Sequence, residues 1–434
     1  MTEEQIDQAL LAHLCRCTGW QTIREAARLA YDGASRPDEQ GIDGQGTNGQ
    51  STQGRDLERA SLRAAVEGRV PQDVGPAVVL GGAGFADDTA PTEALVAVPD
   101  GAGGYAVAES LCQARALAAR VQGRSSGLPL IHPVPVPPGG WDLTLQTTWV
   151  EPGYVEPDAS WCLPGGEPAS SSGNGGAFGG KLRSPVGADA RRLADRHGRP
   201  VRVLWSREDV VRYGPKRPPV AAGVNADGTG VLRVGVPIGG VPDDQWAAVA
   251  ADVARVAPGL VLEPVPLIGP PISFDLRAAV WAEAAVMAEC VRSSRSAEWR
   301  SDPGLHCEIT APGGGRAVAR CLPDRSVEVE VDAGPVIDEV VLRSYGIGAA
   351  HQALGWVGSE GIAVDAAGSV HDLTIRSFGI LRARDTPPVA VSVRADSDGP
   401  VVNGSDAVFA AVAGARWLAD RLPPTWPTGR GGPG

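Results

Sequence analysis

The run Leu14-Cys15-Arg16-Cys17-Thr18-Gly19-Trp20-Gln21 sets two cysteines one residue apart between two amphipathic helix patterns. Ahead of it, Thr2 and Gln5 have capping-box spacing, and Ile6, Leu10 and Leu14 recur every four residues. Behind it, Thr18 and Gln21 repeat that spacing before Ile23, Ala26, Ala27 and Ala30. Both thiols therefore fall at a helix–helix junction. A positive helix end nearby favours thiolate, the form an iron–sulfur cluster requires.

Bulk composition bounds the rest. A chain of 434 residues can bury a large core in two or three domains. Hydrophobic content of 43% against 21% charged residues is that of a globular protein. A net charge of −12 argues against a nucleic-acid or anionic-membrane surface. No apolar run reaches membrane-spanning length, and the acidic N-terminus lacks the pattern of a secretory signal. Seven scattered cysteines suit a reducing cytoplasm better than a disulfide framework.

The pattern divides the chain. Residues 1–31 form a helical fragment, and 32–57 are so poor in apolar residues that they read as a flexible linker. A first mixed domain spans 58–219, a second 220–426, and 427–434 read as a disordered tail. Strands are expected at 77–80, 94–98, 143–150, 154–162, 201–205, 327–331 and 340–344. Helices are expected at 108–121, 188–196, 244–256, 276–291 and 406–422. The fold class is α+β, or mixed α/β.

A second motif is Gly175-Gly176-Ala177-Phe178-Gly179-Gly180-Lys181. Its glycines admit positive φ and close backbone approach to a ligand, and consecutive N–H groups there suggest an anion nest. Gly175, Gly180 and Lys181 have the spacing of a phosphate loop, but Leu182 replaces the hydroxyl residue that would meet magnesium.

Both motifs resemble the xanthine dehydrogenase family of molybdenum hydroxylases. Leu14 to Gln21 resembles the second [2Fe–2S] half-site, and the glycine run resembles the Gly-Gly-x-Phe-Gly-Gly-Lys loop of the molybdopterin-binding subunit. Around that loop, Tyr154-Val155-Glu156-Pro157-Asp158-Ala159 and Gly198 to Asp209 match family runs. Further on, Gln352-Ala353-Leu354-Gly355-Trp356 with Glu360, and Ile380 to Val389, do the same. The resemblance implies a fragment of the iron–sulfur domain fused to a shortened molybdopterin-binding subunit. Cys15 and Cys17 would be metal ligands, and Gly176, Phe178, Gly179 and Gly180 would bind molybdopterin. The other two thiolates of a [2Fe–2S] cluster would have to come from a partner. Leu182 stands where purine-hydroxylating members carry a glutamate, which argues against a purine.

The family's general base is a Glu following a Gly. Here Gly404 is followed by Ser405, with Asp406 one place later. Asp406 is the candidate catalytic base; alternatively, Asn403 to Asp406 cap the closing helix. No Gln-Gly-Gln-Gly or Phe-Arg-Gly-Phe-Gly run is present, and His132, His306 and His351 have no metal-ligand spacing. The function implied is oxidative hydroxylation of an aldehyde or heterocycle, with water as the oxygen source and electrons leaving through iron–sulfur clusters. An iron–sulfur or flavin subunit of the same complex would be the partner. The alternative is a non-catalytic subunit of such a complex.

Overall fold

The computed structural model describes residues 2–31, 55–118, 123–173, 175–296, 306–395 and 397–429. Its helices are α1 (Glu3–Leu10), α2 (Gln21–Tyr31), α3 (Leu57–Gly68), α4 (Pro76–Val79), α5 (Leu111–Leu117), α6 (Val186–His197), α7 (Arg207–Tyr213), α8 (Asp243–Val256), α9 (Trp281–Ser293), α10 (Glu339–Gly358) and α11 (Ser405–Ala419). Its strands are β1 (Leu95–Pro99), β2 (Tyr105–Ala108), β3 (Leu143–Thr147), β4 (Ala159–Cys162), β5 (Val201–Leu204), β6 (Val220–Val224), β7 (Gly230–Pro237), β8 (Leu260–Leu267), β9 (Cys307–Thr310), β10 (Arg316–Cys321), β11 (Val327–Asp332), β12 (Val389–Val393) and β13 (Thr425–Trp426). The mixed α/β class is as expected.

Three sheets organise these elements, in the orders β2-β1-β5-β4, β12-β11-β10-β9 and β13-β3-β6-β7-β8. In the third, β3 pairs antiparallel with β6 in register Leu143↔Val224, so the boundary drawn at 219/220 falls inside one sheet. β11 shows the period-2 pattern the sequence promised: Val327, Val329 and Val331 are buried, Glu328 and Glu330 exposed. The largest core lies where α9, α10 and α11 meet β9–β11. Alanine and glycine dominate the buried length of α11, which lets neighbouring helices approach closely.

Several local expectations need correction. Residues 340–344 are not a strand but the first turn of α10, which starts where Asp338 accepts a bond from Val341 N (2.8 Å). A capped, long buried helix overrides the β preference of Val340 and Val341. Residues 77–79 belong to the short helix α4, opened by Pro76 at its first position, with Leu80 as its C-cap. Leu276–Val280 lies outside α9, with Ala278 and Val280 at positive φ. Of the expected tail, Thr428 and Gly429 bond to the carbonyls of Val357 and Gly358 (2.7 and 2.9 Å), and 430–434 lie outside the described residues. The expected linker lies largely outside them too.

The N-terminal fragment is docked on the C-terminal core. Trp20 is buried and its Nε1 donates to Leu381 O (3.0 Å). Arg16 reaches Glu360 through two bonds of 2.5 and 2.6 Å. Gly348 of α10 makes the approach possible, because a Cβ there would stand 2.2 Å from the Cys17 carbonyl oxygen.

Candidate functional site

The cysteine stretch, the glycine loop and the start of α11 meet at one cavity of about 510 Å³. Its wall includes Cys17, Thr18, Glu67, Phe178, Lys181, Arg277, Tyr345 and Asp406. Phe85, Tyr154, Val155 and Ala177 make much of the remaining surface apolar. Small-molecule sites typically measure about 300–1,000 Å³ and combine such a wall with a few polar groups.

The two cysteines have different surroundings. Cys15 is buried, with Sγ 2.8 Å from Thr18 Oγ1. Cys17 is exposed where it lines the cavity; the protein packed around it and then the Cys15 thiol push its pKa up, to about 11. That direction runs against the thiolate that the helix-end argument expects at Cys17. The second capping box is also absent. Thr18 Oγ1 accepts from Trp20 N (3.2 Å) rather than pairing with Gln21. Among the described residues no group of three or more His, Cys, Asp or Glu side chains is placed to hold a metal.

The glycine loop is built around two left-handed non-glycine residues, Ala177 (φ 51°) and Phe178 (φ 58°), an arrangement that costs energy and is held by its surroundings. Phe178 lines the cavity, as do Gly175 and Gly176. Gly179 and Gly180 do not line it. Gly179 (φ 92°) faces Asp275, whose carbonyl oxygen would lie 1.8 Å from a Cβ. Gly180 lies against Tyr154. Their glycine identity is explained by packing inside the protein. The anion nest is not formed by this part of the loop: the N–H groups of Gly179, Gly180, Lys181 and Leu182 donate to Gly176, Ala177, Gly176 and Gly179 of the loop itself.

Asp406 faces the cavity and meets Arg277, whose Nε donates to Oδ1 at 3.2 Å. Arg277 also donates to Gln352 Oε1 (3.0 Å) and Ser405 Oγ (3.4 Å), and its guanidinium lies 5.2 Å from the Phe178 ring centre. Burial pushes the pKa of this arginine below its ordinary value, and Asp406 opposes that shift. Asp406 does not cap α11 with its side chain. Asn403 Oδ1 accepts from Asp406 N (2.9 Å), and Glu67 accepts from Gly404 N (3.0 Å) and Ser405 N (2.8 Å).

Sequence reasoning missed Glu67 and Arg277. Glu67 sits in α3 beside Arg63, its ion-pair partner, a spacing that usually marks a solvent-exposed pair. Here both are buried. Arg277 was visible only as a lone cation in an apolar run. Leu182, at the position suggesting substrate preference, is partly exposed and does not line the cavity.

The sequence matches no protein-family model and no curated protein. Solved structures do match. An aldehyde oxidoreductase from Desulfovibrio gigas superposes with a TM-score of 0.61 at 11% identity, over 97% of this chain and 84% of that one. This chain has the aldehyde oxidoreductase fold. The aldehyde oxidoreductase from Desulfovibrio desulfuricans matches over the same shares, with a TM-score of 0.50 at 10% identity. No described helix is long and apolar enough to cross a membrane.

Proposed function

We propose that this chain is a molybdopterin-dependent oxidoreductase subunit of the xanthine dehydrogenase type, acting on a carbon centre of an aldehyde or heterocycle. One observation carries the reading. Cys17, Phe178 and Asp406, which the sequence singled out in three motifs, line one cavity of about 510 Å³. The fold likeness to aldehyde oxidoreductases agrees with it.

The residues fit such a cofactor in size and in donor chemistry. Thr18, Gln72, Ser344 and Tyr345 offer neutral hydrogen-bonding groups around an apolar wall. Burial raises the Tyr345 phenol to about 12, so it stays a donor at neutral pH. These four, with Gly176 and Phe178, would hold the pterin. When bound, molybdopterin supplies two-electron redox chemistry at its metal. The chain's part is to exclude water with Phe85, Phe178 and Tyr345, and to present Asp406 on the same wall as the candidate proton acceptor.

A [2Fe–2S] cluster does not fit this chain alone. Cys15 and Cys17 supply two thiols where a cluster needs four thiolates, so the other two would come from an iron–sulfur partner subunit.

Protein purified anaerobically from its own host tests the reading. Molybdenum assay and pterin fluorescence after oxidation should each give about one equivalent, and an aldehyde or heterocycle panel should reduce an artificial electron acceptor. Protein lacking both molybdenum and pterin, from cells replete in molybdate, refutes it. A second reading, a non-catalytic subunit, is favoured by the Arg277–Asp406 ion pair, which already balances the candidate base. Cofactor-loaded protein that reduces no acceptor with any of the panel would decide for it.

A further inference from the structure

Lysine is almost absent from this chain. Of its 39 basic residues only Lys181 and Lys216 are lysines, and both are buried. Arginine serves ion pairing as well as lysine or better, but it is not deprotonated in proteins. Of the two, only the lysine amine can become a neutral nucleophile toward a carbonyl. Lys216 is fully enclosed, with Nζ donating to Gly214 O (2.7 Å) and Val210 O (3.3 Å). Lys181 instead lines the cavity.

The surroundings of Lys181 suit amine chemistry. Nζ donates to Pro157 O (3.2 Å) and lies 5.6 Å from the Tyr154 ring centre. Among the described residues no carboxylate is within ion-pair distance of it. Burial shifts this amine's pKa down, toward the neutral form. Glu156 lines the same cavity, and burial shifts its pKa up, toward a proton-carrying form. Val155, Phe178 and Tyr154 supply apolar surface beside the pair.

We propose that Lys181 is a carbonyl-capturing amine that takes small aromatic aldehydes from the cavity as an imine, with Glu156 as its proton carrier. The Nζ lone pair attacks the carbonyl carbon, Nζ gives up a proton, and the carbonyl oxygen becomes a hydroxyl. Glu156 protonates that hydroxyl, which leaves as water as the C=N bond forms; the second Nζ proton returns to Glu156. Amine and aldehyde give imine and water, with no oxidant or reductant. The proposal does not rest on the molybdopterin reading, because amine, proton carrier and wall all belong to the chain.

The test uses the full chain with benzaldehyde and cyanoborohydride at neutral pH, followed by peptide mapping, with the α-amine as internal reference. Lys181 should be benzylated at least tenfold faster in the folded protein than in urea, while folding protects Lys216. A merely buried lysine would also be protected, so labelling of folded Lys181 at or below its rate in urea overturns the proposal. That comparison needs no variant. Glu156→Gln should slow labelling of Lys181 at least tenfold and leave the α-amine unchanged. An unchanged Lys181 rate in that variant, with the fold verified by circular dichroism, removes Glu156 as the proton carrier. Labelling in protein free of molybdenum and pterin should be at least as fast as in loaded protein, where the cofactor would share the cavity. Labelling confined to molybdenum-loaded protein would overturn the claim that the chain suffices.

Discussion

Arg16 and Glu360, 344 residues apart, form a buried two-bond ion pair at 2.5 and 2.6 Å. Arg16 stands between the two cysteines, and Glu360 closes the motif that begins at Gln352. Arg16 also donates to Pro152 O (2.9 Å), while Gln352 Nε2 reaches back to Arg16 O (3.5 Å). The N-terminal stretch is thereby built into the wall that carries Cys17. Arg16→Met would take from the buried Glu360 carboxylate its two bonds to Arg16, and breaking a pair so buried typically costs about 3–5 kcal/mol. Urea denaturation should show a loss of that order. A loss below about 1 kcal/mol would mean that water already screens the pair.

Cutting the chain should not release its first segment. The composition of residues 32–57 still predicts a protease-sensitive stretch, whereas Trp20, Arg16 and Arg24 tie residues 2–31 to Leu381, Glu360 and Ala383. After brief proteolysis the small fragment should co-elute with the large one in native gel filtration and separate in urea. Separation under native conditions would contradict the docking of Trp20 and Arg16.

His351 makes stability fall in acid. Its ring is fully buried, Nε2–H donates to Leu381 O (3.2 Å), and Nδ1 has no partner. Burial, reinforced by Arg16, pushes its pKa down to about 3. The unfolded chain has a value of about 6.5. Between these values the unfolded state binds the extra proton, so stability is full above about 6.5 and declines as pH falls toward 3. Denaturation midpoints at pH 7.5, 6, 5 and 4 should decrease in order, and His351→Gln should flatten that slope. An unaltered slope in the variant would assign the decline to other groups.

Gly179 and Phe178, neighbours in one motif, should respond in opposite ways. Gly179→Val brings a branched side chain to a left-handed position where a Cβ already meets the Asp275 backbone at 1.8 Å. Left-handed strain alone costs about 1–3 kcal/mol, and the clash adds to it. That variant should unfold at markedly lower temperature whether or not a cofactor is bound. Phe178→Ala removes a half-buried ring from the cavity wall and should keep the fold while losing bound cofactor. A thermally normal Gly179→Val protein would mean that the loop can shift away from Asp275.

What the sequence disclosed was local chemistry. The Thr2–Gln5 capping box and the alternation in β11 depend on near neighbours, and each formed where expected. The cysteine junction was legible as a turn between helices, but not as part of a cavity wall shared with Phe178 and Asp406. Long-range partners left no mark. Nothing near Glu67 announces that it caps a helix starting at Ser405, and nothing near Arg277 announces Asp406. The Val340–Val341 pair suggested a strand because propensity alone does not register that α10 is surrounded by the core.

The pair most exposed to test is Arg277 and Asp406, whose side chains are 6% and 14% accessible. Asp406→Asn keeps size and hydrogen bonding but leaves the Arg277 charge short of its nearest counter-ion. Glu67 also opposes that charge, so the cost should fall at the lower end of the range for a broken buried pair, about 3 kcal/mol. Arg277→Met should be destabilising as well, since it leaves Asp406 and Gln352 without their donor. In the double variant the losses should be clearly less than additive, by about 1 kcal/mol or more. Strict additivity in urea denaturation would mean that the two groups do not interact energetically. Asp406 would then be free to serve as a base, and the reading of this chain as an active oxidoreductase would gain what the non-catalytic reading lost.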